Sequence, residues 1–509
     1  MDYVIGCDVG SQGVKVILLS LEGQVAGEAS VGYAVDYPRP AWAEQAPEVW
    51  LSAIEGAVRA LRARSGVSPA RIRALGLAAQ VDGVVAIDRR GRPLRPAIIW
   101  MDRRAVDQCA QVAQTPEAKR LGQSAGLNLD PSHVAAKIRW LADEEPEVYA
   151  RASHFLLPGS FVAYYLTGCL AVDYANASST LLMDVRQRTW SPELCRLFGV
   201  EPERLALLCP ATARLGLLRP AVAQRLGLSR ATQVVVGSGD EHAACLGAGV
   251  LQPGVVGDIA GTAEPVCAAS PEPLFDPAGL LETHCHAEPS LWLLENPGFV
   301  SGANYRWFRD QFAPLEVQAA SEQGTSAYEL LDETAARVPP GSEGLLLLPC
   351  LMGAMAPTWN AAARGTFFGF TLAHTRAHFA RAVLEASAYA VRDSTDRLRQ
   401  MGLPLREIRA MGGGARSRLW RQIKADVTGL PVALPQTAET TALGAAMLAL
   451  VGTGACTSLA EAAGRMVRVV ETVDPRPDLV ARYEEYYQLY RATYFALLPV
   501  FEQAARIRC

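Results

Sequence analysis

The sequence predicts an α/β protein built as two lobes around a central cleft, and three observations carry that prediction. Its 509 residues, half of them apolar, exceed what one ordinary domain needs and suffice for two cores. Strand-like and helix-like stretches mix through both halves. A strand–turn–strand unit that opens the chain returns in its middle, each time with a small hydroxyl residue in the turn, which suggests a duplicated fold. The lobes are expected over residues 1–249 and 250–509, with the hinge within Leu246 to Gly254.

In chain order, Val4 to Cys7 is an apolar strand, Asp8-Val9-Gly10-Ser11-Gln12-Gly13 a polar turn, and Val14 to Leu19 a second strand. Gly23 turns the chain again before Gln24 to Ala29. Apolar residues at three- and four-residue spacing predict helices over Pro47 to Arg62, Ala135 to Asp143 and His378 to Arg399. Ile72 to Ala78, Val84 to Asp88 and Ala97 to Trp100 read as extended segments. Gln233 to Val236 is an apolar strand leading through Gly237-Ser238-Gly239-Asp240-Glu241-His242 into an Ala-rich helix. The second unit then runs Val255 to Ala260, Gly261-Thr262, Glu264 to Cys267. Near the end, Tyr483, Tyr487, Tyr490 and Tyr494 share one helical face, which reads as core packing.

Composition narrows the function classes. Charged residues make up 20% of the chain, the formal net charge is −4, and no basic block is present, so nucleic acid is excluded as an expected partner. No apolar run reaches membrane-spanning length and no leader pattern opens the sequence, so a cytoplasmic protein without membrane contact is expected. The eleven cysteines are scattered and never form Cys-x-x-Cys, as expected of small buried hydrophobes in a reducing compartment. His284-Cys285-His286 has metal-ligand residue types, but no Cys or carboxylate stands at a ligand spacing, and it is read as ordinary strand. Lysine is scarce, only Lys15, Lys119, Lys137 and Lys424, so a lysine beside a motif draws attention.

The chain has neither Gly-x-x-x-x-Gly-Lys-[Ser/Thr] nor Gly-x-Gly-x-x-Gly after a strand, which excludes the P-loop and dinucleotide folds. The candidate anion sites are two small-residue hairpins, Gly10-Ser11-Gln12-Gly13 and Gly261-Thr262-Ala263, where backbone amides can converge. Asp8 faces the first of them and fits a Mg²⁺ ligand acting through water, or else an Asx turn cap. Lys15 lies just beyond, within reach of a transferring phosphate. Asp240, before a helix and fronted by glycines, fits either a base that accepts a hydroxyl proton or a helix cap. Gly412-Gly413-Gly414, after a short strand and before a helix, suits a flat ring laid against the backbone, or a tight connection.

These segments resemble the FGGY carbohydrate kinases, most closely the xylulokinase-like branch, over nearly the whole chain. Gly365 to Phe370 followed by His378 to Glu385 is similar to the family's C-terminal signature, with Phe370 where an aliphatic is usual. Ser132 to Glu144 is similar to the N-terminal signature, with Val134 where Pro, Ser or Thr is usual. Ala43 to Pro47 with Trp50, Met411 to Gln422, and Glu439 to Ala446 resemble its substrate, adenosine and late-helix segments.

The resemblance implies two actin-like, ribonuclease-H-like lobes closing over ATP, Mg²⁺ and a small sugar or polyol. It implies Asp240 as catalytic base and Asp8 as the metal-associated carboxylate. Ser11, Gln12 and Lys15 fall on the first phosphate loop, and Gly261 and Thr262 on the second. Gly302, in Val300-Ser301-Gly302-Ala303, is a further nucleotide-side glycine, and Gly413, Gly414 and Arg418 lie at the adenosine. Gln80, Val81, Asp82, Trp100 and Asp102 would shape the acceptor pocket with Asp240.

Val81-Asp82-Gly83 departs from the Met-His pair usual in xylulokinases. Glycerol kinases carry Arg-Glu there, and deoxyketose kinases of the fuculose type can show Val-Asp-Gly. Asp82 can accept hydrogen bonds from two vicinal hydroxyls. The expected acceptor is a ketopentose such as xylulose, with ribulose, a tetritol or a fuculose-type deoxyketose as alternatives. A non-catalytic sugar- and ATP-binding regulator is the remaining reading. The oligomeric state is left open, a homodimer included.

Overall fold

A computed structural model describes residues 1–298 and 301–507, so Val300 of the nucleotide-side segment lies outside the described residues. The first lobe is organised by a six-stranded sheet: β1 (Tyr3–Val9), β2 (Gly13–Ser20), β3 (Val25–Gly32), β4 (Ile72–Ala79), β5 (Arg214–Leu217) and β6 (Gln233–Gly239). Their spatial order is β5-β6-β4-β1-β2-β3. The second lobe holds a seven-stranded sheet: β7 (Val255–Ile259), β8 (Val266–Ser270), β9 (Glu282–Cys285), β10 (Trp292–Asn296), β11 (Glu407–Met411), β12 (Val432–Pro435) and β13 (Val469–Val473). These are ordered β9-β10-β8-β7-β11-β12-β13.

The pairing senses reveal the duplication. In the first sheet β1 pairs antiparallel with β2 and β2 with β3, while β1–β4 and β4–β6 are parallel and β6–β5 antiparallel. In the second, β7–β8 and β8–β10 are antiparallel, β7–β11 and β11–β12 parallel, and β12–β13 antiparallel. The same six-strand grammar thus occurs twice, with β9 as an extra edge strand.

Helices cover the sheets. Those that bear on the site are α1 (Pro47–Ser65), α2 (Asp240–Gly247), α3 (Gly302–Phe312), α4 (Arg376–Gln400), α5 (Arg418–Thr428), α6 (Thr440–Thr453) and α7 (Pro477–Ile507). Helix α1 buries Trp50, Ala53, Ile54, Ala57, Val58 and Leu61, a stripe at helical spacing. The tyrosines at 483, 487, 490 and 494 on α7 are all buried, Tyr483 and Tyr487 bonding Glu385 and Asp393 of α4.

Helix α6 belongs by sequence to the second half but packs on the first sheet, where Ala442, Ala446 and Met447 share a core with Val4, Ile17, Ala74 and Val235. It also crosses α2 at backbone distance. A Cβ on Gly444 would lie 1.9 Å from the Ala243 carbonyl oxygen, and one on Gly247 2.0 Å from that of Thr440, so the crossing requires glycine on both helices. Strand β9 makes a second bridge: Thr283 N donates to Gly126 O at 2.8 Å and Cys285 N to Ser178 Oγ at 3.0 Å. Among the described residues no helix is long and apolar enough to cross a membrane.

Candidate active site

The first turn is fastened from several sides. Gly10 N donates to Gly13 O at 3.0 Å and the Tyr33 hydroxyl to Gly10 O at 2.5 Å. Gln45 Nε2 donates to Ser11 O and Trp100 Nε1 to Ser11 Oγ, each at 2.7 Å. Tyr33 N donates to Gln12 O at 3.1 Å. Ser11, Gln12 and Trp100 therefore meet in one rigid cluster.

Asp8 is cross-strand partner to Lys15 in the β1–β2 register. Its Oδ1 is buried without a hydrogen-bond partner. Burial, then the nearby charges of Asp240 and Glu439, push its carboxyl well above the usual range, against the pull of Lys15. The Lys15 ammonium pairs at 2.8 Å with Glu439, the residue before α6, and so links the halves of the chain across the turn.

The second wall follows β4. Gln80 N donates to Val9 O at 2.9 Å and Gln80 Nε2 to Gln45 Oε1 at 3.0 Å, which leaves Gln80 Oε1 buried and unpaired. Val81 packs on the end of β6, where a Cβ on Gly239 would meet its Cγ1 at 2.7 Å. Asp82 has φ +56°, a left-handed conformation that Asp tolerates better than most residues. Its carbonyl accepts from Lys137 Nζ at 2.5 Å, and its Oδ2 lies 3.2 Å from His133 Nδ1. Its Oδ1 is buried with no partner.

Trp100 and Asp102 separate in role. Asp102 is fully buried, and its oxygens accept from Ala43 N at 2.6 Å, Arg104 Nε at 2.9 Å and Arg104 NH2 at 2.7 Å. It anchors Arg104 and the Ala43 loop rather than offering a free oxygen.

Asp240 owes its position to a bulge. The β6–β4 register shifts between Val235 and Ser238, and Gly237 there has φ +83°, with Leu77 O 1.9 Å from where its Cβ would stand. Only glycine fits, and the bulge re-aims the strand end. Gly239 then caps α2 and Asp240 is its first residue, accepting from Glu241 N at 3.0 Å. Burial raises the Asp240 carboxyl to about 6, opposed by the Glu241 amide and assisted by the charge of Asp82. The result is a carboxylate still ionised at neutral pH and more basic than a solvated one.

Behind it lies a titratable network. Glu282 and Glu295 are direct cross-strand partners on β9 and β10, a pairing that costs stability when both are charged. His133 stands between Asp82 and Glu282, 3.2 and 3.7 Å away; burial opposes its charge, but the two carboxylates outweigh that and raise it well above the ordinary histidine value. Burial and then the charge of Asp240 raise Glu241 to about 8, against a hydrogen bond with Glu295, while burial and then the charge of Glu241 raise Glu295. His284 is 3.5 Å from Glu295 but pushed down to about 3 by burial and then by His133, and stays neutral. His286 has both ring nitrogens engaged with backbone, Val250 O at 2.9 Å and Glu288 N at 2.8 Å.

The second lobe gathers its glycines around Ala260. Gly302 N donates to Gly261 O at 3.1 Å, while Ser301 N and Ala303 N each donate to Thr262 O at 3.2 Å. Gly414 N donates to Ala260 O at 2.9 Å, and Ala260 N to Met411 O at 3.0 Å. Gly261, Thr262, Gly302, Gly413 and Gly414 thus form one backbone-lined corner at the start of α3. Arg418 stands at its margin, the exposed first residue of α5, with Nε 2.8 Å from Glu471.

Sequence reasoning passed over His133, Glu241, Glu282 and Glu295. His133 sits inside the Ser132–Glu144 signature and Glu241 beside Asp240, so a local signal existed for both. Glu282 and Glu295 had none, because only strand pairing brings them to the site.

The chain matches the models of the FGGY family of carbohydrate kinases, N-terminal domain over residues 3–247 and C-terminal domain over 259–453. A xylulose kinase of Lactococcus lactis is 30% identical over 496 residues, 97% of each chain. A gluconokinase of Bacillus subtilis is 30% identical over 508 residues, 99% of this chain and 96% of the relative. The crystal structure of a xylulose kinase from Rhodospirillum rubrum superposes with a TM-score of 0.89 at 31% identity, covering 98% of this chain and all of the other. With both domain models matched in order and full-length relatives at this identity, the chain belongs to the FGGY family of carbohydrate kinases.

Proposed function

We propose that the protein transfers the γ-phosphoryl group of ATP to a hydroxyl of a small sugar, a ketopentose such as xylulose being the leading acceptor, with Asp240 as base. The observation that supports this most is Asp240 itself: a half-buried carboxylate raised to about 6, at a helix start, electrostatically coupled to both Asp8 and Asp82. In the reaction the acceptor oxygen forms a bond to Pγ as the bond from Pγ to the β,γ-bridging oxygen breaks. The hydroxyl proton passes to Asp240, and ADP leaves with the electron pair.

The amides of Ser11, Gln12 and Thr262 would hold phosphate oxygens, the Gly261 amide being spent on the Ile259 and Ala263 carbonyls, and Lys15 stands across the strand from Asp8 at the first turn. The Gly412–Gly414 segment is suited to adenosine. Asp8 fits a divalent cation: its Oδ1 is orphaned, and burial works against its charge unless a cation compensates. When bound, Mg²⁺ would offset charge on the phosphates.

Coupled ADP release across xylulose, ribulose, tetritols and deoxyketoses tests the reading. Acceptor-dependent ADP is expected, and it should vanish in Asp240→Asn while ATP binding persists. Turnover near wild type in that variant would overturn the assignment of the base.

A further inference from the structure

Relatives at equal identity are named for two chemically different acceptors, neutral xylulose and anionic gluconate. We propose that the acceptor pocket of this protein selects neutral polyhydroxy compounds and rejects aldonates, through the unpaired acceptor oxygens of Gln80, Asp82 and Asn176 and the carboxylate of Asp240. The proposal rests on the kinase function above and names its acceptor class.

Three observations carry it. First, the pocket offers acceptors. Asp82 is only 8% exposed, yet its Oδ1 has no partner, and the same holds for Gln80 Oε1 and for Asn176 Oδ1, which would lie 3.4 Å from a Cβ on Gly239 beside Asp240. Hydroxyl groups satisfy such oxygens by donating; a carboxylate has nothing to donate. An unpaired buried acceptor is costly, so a polyol whose hydroxyls donate to these oxygens is favoured.

Second, the nearby cations are committed. Lys137 Nζ donates to the carbonyls of Asp82 and Ser132. His133 is shared by Asp82 and Glu282. Arg103 makes a two-pronged pair with Asp130 at 2.5 and 2.7 Å, and Arg104 binds Asp102 and Glu44. Lys15 is paired with Glu439. Of the cations around Asp82, each is thus engaged by a carboxylate or a carbonyl; among the described residues Arg39, stacked 4.6 Å over Trp42, is the one guanidinium of the Trp42 segment without an ion pair. Third, the Asp82 and Asp240 segments meet, since a Cβ on Gly239 would lie 2.7 Å from Val81 Cγ1, and Asp240 keeps its charge at neutral pH. An aldonate carboxylate would be brought beside that charge.

The test measures ADP release with saturating ATP for xylulose, ribulose, a tetritol and gluconate. Like-charge juxtaposition disfavours the anion, so kcat/KM for gluconate is expected at least about 100-fold below the best neutral acceptor. Gluconate turnover within tenfold of the best neutral compound overturns the proposal and leaves the kinase function standing. ADP from none of these compounds, nor from a deoxyketose, overturns both. In Asp82→Asn, checked for folding by circular dichroism and ADP binding, KM for the preferred neutral acceptor should rise tenfold or more. The discrimination against gluconate should shrink in the same variant. A folded variant with unchanged KM and unchanged discrimination removes Asp82 from the selection.

Discussion

The two halves repeat one strand grammar and then use its equivalent position in opposite ways. Asp8 is the penultimate residue of β1, and Asp258 is the penultimate residue of β7. Each is followed by a small-residue turn, and each strand pairs in parallel with the next along the sheet. Asp258 is neutralised: Lys424 of α5 lies 2.5 Å from it and also bonds Glu264, which in turn accepts from Ser387 at 2.6 Å. Burial opposes the charge of Lys424, but the two carboxylates outweigh it and raise its pKa. Asp8 has no such partner; Lys15, its cross-strand neighbour, turns to Glu439 instead. Each aspartate keeps an unpaired Oδ1, but one is ion-paired in the core and the other is not. Duplication supplies the scaffold twice, and chemistry needs only one copy kept open.

The largest expected effect lies on the open side. Asp240→Asn should lower kcat by on the order of 10²–10⁴-fold, the usual worth of a general base, with melting temperature unchanged or raised; kcat within tenfold of wild type would contradict it. On the closed side, Lys424→Met should cost about 3–5 kcal/mol in denaturant unfolding, because two buried carboxylates lose their counter-charge. Asp8→Asn should reverse that pattern, costing activity but no stability, since it removes a half-buried carboxyl whose ionisation the folded protein disfavours. A loss of stability in Asp8→Asn equal to that in Lys424→Met would erase the contrast between the halves.

A further test uses pH. Asp240 must be deprotonated to accept a proton, and its pKa is raised to about 6. The activity should therefore be present above that value and fall as pH drops through about 6, not through the region near 4 where a solvated carboxylate titrates. A kcat/KM profile flat down to pH 5 would argue against it. The smallest effect is expected for the partly exposed Lys15–Glu439 pair: Glu439→Gln should change unfolding free energy by less than about 1 kcal/mol.

Much of the fold is legible locally. The apolar run before Asp8, the glycine turn after it and the three-and-four spacing on α1 and α4 report short-range preferences, and the structure follows them to within a few residues. The expected helix over Ala135 to Asp143 is Val134–Glu144, and that over His378 to Arg399 is Arg376–Gln400. The site is legible only where its residues lie in one segment. Asp82 and His133 come from separate loops, and Glu282 and Glu295 meet through antiparallel register, which no spacing in the chain encodes. The family resemblance implies Asp102 in the acceptor pocket with Trp100; nothing local discloses that Arg104 and the Ala43 amide bond its oxygens. Three of the four lysines do stand at consequential places, Lys15, Lys137 and Lys424, as their scarcity hinted.

The placement of α6 has a consequence for how the chain is made. The core around Val4, Ile17, Ala74 and Val235 is closed by Ala442, Ala446 and Met447, from the opposite end of the sequence. During synthesis the opening sheet therefore leaves the ribosome with one apolar face uncovered, and it waits there until nearly the whole polypeptide has emerged. A chain cut at the junction between the halves would carry that bare face permanently, so the two halves, though copies in design, are a single unit of assembly.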